Sequence, residues 1–335
     1  MKKMLALVLV LLLTVSVFAG CAVTPDGGSS AETTAPVEKT EVRICGIKGP
    51  TGIGLANLWD AQDKGAAQNK YTFELVSVPQ DAGTRVVNGQ ADIAAVPTNL
   101  ASALYKKTGG KVQMLAINTL GVLYILENGD SVKAVSDLKG KTIYSTGQGA
   151  NPEYILRHVL KENGIDPDKD VTLKFVTEND ELNTLVANGT AKVAMVPEPN
   201  VTAVCAKNAD VRVALDMTAE WDELDSGKLM MGCVIVRKEF AEQNPAAVAQ
   251  FLKEYEASIN AANSNVDATA ALCETYGIIP KAAVAKKAIP NCNLTFVAGA
   301  DMQKQIGGYF DVLFAANPAS IGNAVPDEAF YYVAK

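Results

Sequence analysis

The sequence has 335 residues but a single histidine, His158, and this scarcity bears on catalysis. Histidine is the usual general base beside a serine or cysteine nucleophile and the commonest ligand of transition metals. His158 stands in the middle of a predicted helix, from which it would have to reach a nucleophile. Neither a His-Glu-x-x-His motif nor a cluster of acidic residues at metal-ligand spacing occurs. We therefore predict a protein that is not an enzyme and that has no metal site and no cofactor.

Grouped cysteines and basic runs are also missing. The six cysteines include no Cys-x-x-Cys pair, which argues against a zinc or redox motif. Cys45, Cys205 and Cys233 lie in apolar runs and are expected to be buried thiols. Cys273 and Cys292 flank a helical stretch, and their pairing in a disulfide stays open. The formal net charge is −7 and no block of Lys or Arg occurs, which argues against nucleic acid as a partner.

The N-terminus has the pattern of a targeting segment. Lys2 and Lys3 precede an apolar run at 4–17 that is too short to span a bilayer comfortably. The run ends in Phe18-Ala19-Gly20-Cys21, which resembles the bacterial lipobox. We predict a lipoprotein signal peptide at 1–20 and lipidation of Cys21, which would hold the protein at the extracytoplasmic face of the cell membrane. The alternative is an ordinary secretory signal that is cut near Ala19. Residues 21–40 are rich in Ser, Thr, Gly, Pro and Ala, which predicts a flexible tether.

What the sequence does contain is an internal repeat. Aligned on Asn88-Gly89 and Asn188-Gly189, two stretches both read Asn-Gly-x-Ala-x-(Ile/Val)-Ala-x-Val-Pro, at an offset of 100 residues. Upstream of each, an apolar strand runs into a Gly-rich turn, at 44–52 and at 142–149. Strands that alternate with helices predict an α/β fold with mainly parallel sheets. The repeat predicts two similar lobes that enclose a ligand cleft.

The predicted order of strands and helices suggests that the chain crosses between the lobes twice. We place lobe 1 at residues 41–121 plus 236–335 and lobe 2 at 122–235. The predicted crossings are strands at Leu120–Leu126 and Met230–Val236, which together would form a hinge. The C-terminal third is expected to be mainly helical and to pack on lobe 1.

Open α/β sheets bind ligands at the carboxyl ends of their strands. The candidate ligand-binding residues are therefore chosen at the predicted strand ends. Their backbone N–H groups and polar side chains suit an anion or another acceptor. The alternative is that these residues only form turns and cap helices. The twelve candidates are Gly49, Thr51, Gly52, Thr98, Asn99, Tyr124, Thr146, Gly147, Gln148, Asn151, Glu198 and Asn200. Tyr144 and Trp221 are further aromatic residues expected near the cleft.

Three stretches, Val87–Ala94, Asp137–Ile143 and Leu182–Pro199, resemble the solute-binding lipoproteins of bacterial ABC importers. The resemblance is to the branch that binds nitrate, sulfonates, taurine and thiamine-pyrimidine precursors, with the periplasmic binding protein type II fold. Glu198-Pro199 is similar to an aromatic-Glu-Pro motif of that branch, but Pro197 stands at the aromatic position. The ring that the family would stack on its ligand is therefore missing here.

The resemblance implies a monomeric protein that captures a small solute by hinge closure and presents it to an ABC permease with its ATPase. The expected solute is small and polar or heteroaromatic, anions included, and its identity stays open. Two other functions stay open as well. One is an enzyme of the same fold that acts on a pyrimidine or related precursor, and the other is a ligand sensor that docks on a receptor.

Overall fold

The computed structural model describes residues 39–334, which form two β-sheets with helices packed against them. The predicted signal peptide, Cys21 and the tether as far as residue 38 lie outside the described residues. The strands are β1 (Glu41–Ile47), β2 (Lys70–Val76), β3 (Ile93–Pro97), β4 (Val112–Thr119), β5 (Leu123–Asn128), β6 (Thr142–Ser145), β7 (Thr172–Phe175), β8 (Val193–Pro197), β9 (Val211–Asp216), β10 (Gly232–Arg237) and β11 (Leu294–Ala298). The six-stranded sheet has the order β11-β4-β10-β3-β1-β2, and the five-stranded sheet has the order β7-β6-β8-β5-β9.

The helices connect successive strands and then make up most of the C-terminal third. They are α1 (Pro50–Ile53), α2 (Ala56–Asp63), α3 (Pro79–Val87), α4 (Thr98–Lys107), α5 (Asn151–Glu162), α6 (Asn179–Ala187), α7 (Asn200–Lys207), α8 (Met217–Asp222), α9 (Lys238–Gln243), α10 (Pro245–Ser264), α11 (Val266–Thr275), α12 (Ala282–Ala288) and α13 (Gly299–Ala316). Within residues 39–334, no helix combines the length and the apolar character that crossing a membrane requires. The strand β11 lies in the third that the sequence predicted to be mainly helical.

The two sheets repeat one pairing scheme. In the first, β1 pairs in parallel with β2 and β3, and in the second, β6 pairs in parallel with β7 and β8. The registers are equivalent, because Ile44 lies opposite Ile93 and Ile143 lies opposite Val193. Next to these parallel strands, β10 and β5 take the same antiparallel position in their sheets. The prediction of an α/β fold with two similar lobes is confirmed.

The chain passes from the first sheet to the second between Thr119 and Leu123, and it returns between Asp222 and Gly232. The returning strand β10 pairs along its length with β3 and β4 of the first sheet. The predicted boundary gave residues 232–235 to lobe 2, whereas their hydrogen bonds belong to the first sheet. Likewise, residues 123–126 of the predicted hinge are part of β5. The segments that join the sheets are therefore 120–122 and 223–231, and the division into lobes stays a prediction.

The core lies on both faces of the sheets, with β3, β4 and β10 buried almost completely. The C-terminal helices contact the first sheet, as expected, but α13 also packs on α5 and α12 on α7. Cys45, Cys233, Cys273 and Cys292 are buried, and all four are free thiols, as is the half-buried Cys205. Burial raises the pKa of Cys273 to about 12, so this thiol stays protonated at neutral pH.

Candidate functional site

A cleft of about 590 Å³ lies between the carboxyl ends of the two sets of parallel strands. From the first sheet, it is lined by residues that follow β1, β2 and β3, and from the second by residues that follow β6, β7 and β8. The two walls are related by the sequence repeat. Pro79 and Asn179 begin equivalent helices after β2 and β7, and Pro97 and Pro197 end equivalent strands. The repeat therefore places matching turns opposite one another.

The structure brings seven of the twelve candidate residues together along this cleft. They are Gly49, Thr51, Asn99, Thr146, Asn151, Glu198 and Asn200. The first three belong to the wall beside the first sheet, and the other four belong to the opposite wall. The geometry thus gathers these residues, while their contact with a ligand stays a prediction. The other five candidates, Gly52, Thr98, Tyr124, Gly147 and Gln148, are not among the described residues that line the cleft.

Thr98, Gly52 and Tyr124 have structural contacts that explain their positions. The hydroxyl of Thr98 is buried and donates to the carbonyl oxygen of Met230 at 2.7 Å, so it binds the returning segment. A Cβ on Gly52 would lie 2.2 Å from the carbonyl oxygen of Ile47, which only glycine avoids. The Tyr124 hydroxyl donates to the carbonyl oxygen of Asn291 at 2.8 Å. Burial raises the pKa of Tyr124 well above its usual value.

Gly147 and the two further aromatic residues, Tyr144 and Trp221, are also not among the described residues that line the cleft. Gly147 has a φ of 77° and packs against Pro152, so it shapes the turn. The ammonium nitrogen of Lys174 lies over the ring of Tyr144, 5.4 Å from the centroid of that ring. Trp221 is fully buried, where its indole N–H donates to the carbonyl oxygen of Gly227 at 3.1 Å.

Glu198 is the buried carboxylate of the cleft, with 1% of its surface exposed. It accepts from the Thr202 backbone N–H at 3.2 Å and from the Thr202 hydroxyl at 3.0 Å, so it caps the first turn of α7. It also accepts from Nδ2 of Asn291, in the turn Ile289–Asn291, at 3.3 Å. Burial, only partly offset by these hydrogen bonds, raises the pKa of Glu198 above its ordinary value.

Asn151, the first residue of α5, is 5% exposed and lines the cleft. Its Oδ1 atom is buried and accepts no hydrogen bond from any described residue. Neighbouring amides and hydroxyls of the same wall form two hydrogen bonds with one another. Nδ2 of Asn183 donates to Oδ1 of Asn200 at 2.7 Å, and the Thr146 hydroxyl donates to Oδ1 of Asn179 at 3.0 Å. Oδ1 of Asn183 is likewise buried and accepts no hydrogen bond from any described residue, so this wall holds two unpaired amide oxygens.

The candidate list missed several residues that line the cleft. Gln80 and Asn179 follow β2 and β7. The 100-residue offset could have found this pair of helix starts, because Pro79 and Asn179 begin the equivalent helices and Gln80 follows Pro79. Met231 and Ser320 come from the returning segment and from the turn Pro318–Ile321. They enter the cleft through the packing of the C-terminal region, for which the sequence carries no local signal.

A second cavity, of about 750 Å³, lies between α5 and α13. It is larger than the cleft, and two of its charged side chains, Glu153 and Arg157, form an ion pair at 2.7 Å. None of its described lining residues has a buried polar atom without a partner. His158 lines this cavity and not the cleft, with its Nε2 atom 2.8 Å from the Ser226 hydroxyl, and burial lowers its pKa. Across residues 39–334, no three His, Cys, Asp or Glu side chains are grouped to hold a metal ion.

Comparison with known proteins bears on the fold and the family. A structure of an ABC transporter from Parabacteroides distasonis superposes with a TM-score of 0.75 and 20% identity, covering 89% of this chain and 100% of that chain. The periplasmic aliphatic sulphonate binding protein SsuA from Escherichia coli superposes with a TM-score of 0.71 and 17% identity, covering 88% of this chain and 92% of that chain. The periplasmic nitrate-binding protein NrtA from Synechocystis superposes with a TM-score of 0.55 and 13% identity, covering 84% of each chain. These likenesses confirm the periplasmic binding protein type II fold.

No curated protein matches the sequence. The family model described as NMT1/THI5 like, however, matches residues 73–268, which is more than half of the chain. The match begins in β2 and ends in α11, so it takes in the second sheet and most of the cleft. By sequence and by fold, this chain belongs to the NMT1/THI5-like family.

Proposed function

We propose that this chain is the extracytoplasmic solute-binding component of an ABC importer and that it captures a small polar or heteroaromatic solute. The observation that carries this proposal is the pairing of equivalent turns, 100 residues apart, across one cleft. Two walls built from the same motif can each supply part of a binding site. The names of the similar structures, which include sulphonate-binding and nitrate-binding proteins, support the same role.

Capture would proceed by movement of the two sheets about the segments 120–122 and 223–231. One contact between the two proposed lobes is the hydrogen bond that Nδ2 of Asn317, after α13, donates to the Tyr154 hydroxyl of α5 at 2.8 Å. A solute that touches both walls only when they are close would shift the population toward the closed form. The closed form, as a monomer, would then deliver the solute to a permease with its ATPase. Lipidation at Cys21 would keep the protein beside that permease at the membrane surface.

The experiment that tests the role uses the purified mature chain and the fraction below about 1 kDa of an extract of its source organism. A bound solute stabilises the folded state, and at about 100 times its Kd it contributes about 2.7 kcal/mol. We expect this fraction to raise the Tm, and mass spectrometry would identify the bound molecule. Deletion of the gene should then abolish uptake of that molecule.

Three results would contradict the proposal. If no fraction raises the Tm, the chain does not bind a small solute from that extract. If the bound molecule is instead converted to a product, the chain is an enzyme of this fold. Unchanged uptake after deletion would favour a ligand sensor.

A further inference from the structure

The repeat also places equivalent residues at the amino ends of β3 and β8, opposite to the ends that line the cleft. Asp92 precedes β3 and Lys192 precedes β8, again 100 residues apart. The carbonyl oxygen of Asp92 accepts from the N–H of Arg237 at 2.8 Å, and that of Lys192 accepts from the N–H of Asn128 at 2.8 Å. Because the backbone pairing is the same, the side chains at the two positions can be compared directly.

In the first sheet, this position is a closed ion cluster. The side chain of Asp92 is 3% exposed and pairs with Arg43 at 2.7 Å and with Arg237 at 3.0 Å. The guanidinium of Arg237 also pairs with Glu239 at 2.6 Å. Each cation of this cluster therefore has a carboxylate of the chain itself as its partner.

In the second sheet, a cation stands in place of the carboxylate. Lys192 lines a pocket of about 500 Å³ together with Lys141, which precedes β6, and Lys174 of β7. Within the described part of the chain, none of these three lysines forms an ion pair with a carboxylate. The fold gathers them from separate segments, so the sequence shows no basic run. This pocket is called the lysine pocket below.

The two carboxylates that line the lysine pocket are held by other groups. Glu127 accepts from the backbone N–H of Ser131 at 3.0 Å and pairs with Arg212 at 2.6 Å. Burial alone would raise the pKa of Glu127, but the hydrogen bonds that it accepts lower the pKa to about 2. Asp130 pairs with Lys133 and with Arg212. The charge of the three lysines is therefore left for a group from outside the chain.

Contacts with neighbouring side chains hold two of the ammonium groups in place. Nζ of Lys141 donates to the Ser131 hydroxyl at 2.8 Å. Nζ of Lys174 lies over the ring of Tyr144, as described above. Neither contact neutralises the charge, so both groups remain available to an anion.

Two further donor nitrogens converge beside the turn that precedes β8. A Cβ on Gly189 would lie 3.3 Å from Nδ2 of Asn128 and 3.6 Å from Nζ of Lys192. Amide and ammonium nitrogens donate hydrogen bonds and do not accept them. This corner of the lysine pocket therefore offers N–H groups to an acceptor.

The chemistry of lysine indicates which anion fits. An ammonium group is a compact point charge, whereas the planar fork of arginine matches a carboxylate. Several ammonium groups around one pocket suit an anion that carries up to two charges on several oxygens. A phosphate group has this charge and these acceptors.

We propose that the lysine pocket binds a phosphate group, carried either by a soluble phosphoester or by an anionic lipid headgroup. It shares no lining residue with the cleft, so this site is separate from the capture of a solute. All of its described lining residues lie between 127 and 193, within the stretch that forms the second sheet. The site is therefore already formed before any movement between the sheets.

The test uses the purified mature chain with Cys21→Ser, so that no lipid anchor contributes. The probe is glycerol 1-phosphate, followed by nuclear magnetic resonance, with sodium acetate at the same ionic strength as the control. We expect the amide resonances of residues 128 and 189–192 to shift with glycerol 1-phosphate and not with acetate. Because Lys174 and Lys192 are exposed, the affinity should fall as salt is added.

Variants of Lys192 then identify the contact. Lys192→Gln should weaken glycerol 1-phosphate about three-fold or more, since one exposed charge is lost. Lys192→Asp, which gives the second sheet the residue type of the first, should weaken it about ten-fold or more. Lys161→Gln and Lys161→Asp, at an exposed position of α5, make the same charge changes and should leave binding unchanged. Circular dichroism would verify that each variant folds.

Vesicles distinguish the two sources of phosphate. Sedimentation with vesicles of phosphatidylglycerol and phosphatidylcholine, but not of phosphatidylcholine alone, would identify the headgroup as the source if Lys192→Asp abolishes it. Binding of glycerol 1-phosphate without sedimentation would identify a soluble phosphoester. The proposal is wrong if neither probe binds, if acetate causes the same shifts, or if Lys192→Asp binds as the parent does. Shifts confined to residues of the cleft would also overturn it.

Discussion

At the scale of single residues, Glu198 links the cleft to the stability of the fold. Because burial raises its pKa, the folded chain holds this proton more tightly than the unfolded chain does. Ionisation of Glu198 therefore costs stability as the pH rises through the interval from its ordinary pKa to its raised pKa. Glu198→Gln cannot ionise, so its free energy of unfolding relative to the parent should increase from about pH 4 to about pH 8. Urea unfolding at both pH values measures this, and an unchanged difference would contradict the expectation.

Asp92 shows the opposite behaviour. Burial alone would raise its pKa, but hydrogen bonds from Arg43 at 2.7 Å and from Arg237 at 3.0 Å lower the pKa below its ordinary value. Its contribution to stability is present above the ordinary pKa and is lost as the pH falls below it. Asp92→Asn should lower the free energy of unfolding by about 3 kcal/mol at neutral pH, and by less in acid. Chemical denaturation measures this, with Asp210→Asn, at an exposed position, as the control.

At the scale of elements, α13 packs against the segment that returns from the second sheet. A Cβ on Gly308 would lie 2.7 Å from the carbonyl oxygen of Ser226, which is backbone and cannot turn aside. Gly308→Ala should therefore lower the free energy of unfolding by about 1–3 kcal/mol. The adjacent Gly307 has open space, so Gly307→Ala should stabilise the helix by about 0.5–1 kcal/mol. Thermal unfolding of the two variants should show opposite shifts of Tm, and shifts of the same sign would contradict this packing.

At the scale of the whole molecule, the hydrogen bond between Asn291 and Glu198 joins the C-terminal region to the second sheet. Asn291→Asp would set a second carboxylate beside the first, and two carboxylates at this distance resist joint ionisation. We expect the variant to open and to show a larger radius of gyration than the parent at neutral pH, with the difference reduced in acid. Small-angle scattering of the mature chain measures this, with Asn260→Asp on the exposed face of α10 as the control. Identical curves at neutral pH would show that this contact does not hold the molecule closed.

The repeat allowed the fold and the cleft to be predicted from the sequence, because a motif that occurs twice, 100 residues apart, builds the same strands twice. It predicted that the turn with Gly49 and Thr51 would face the turn with Thr146 and Asn151. The repeat could not assign β10 to the first sheet, because the pairing between Gly232 and Pro97 joins residues that are far apart in sequence. Nor could it reveal that the hydroxyls of Tyr124 and Thr98 bond to backbone carbonyls of the C-terminal region and of the returning segment. Contacts of this kind leave no local pattern in the sequence.

The position of β10 between β3 and β4 bears on the order in which the chain folds. When β4 has been synthesised, its neighbour in the sheet is still more than a hundred residues away from being made, so the first sheet is left with a gap. The second sheet draws all five of its strands from the continuous stretch 123–216, and its contacts can form as soon as that stretch is complete. A sheet that pairs segments distant in sequence forms slowly, because the chain loses the entropy of closing a long loop before the stabilising contacts form. The part of the chain made later should therefore fold first, and the first sheet should close around β10 afterwards.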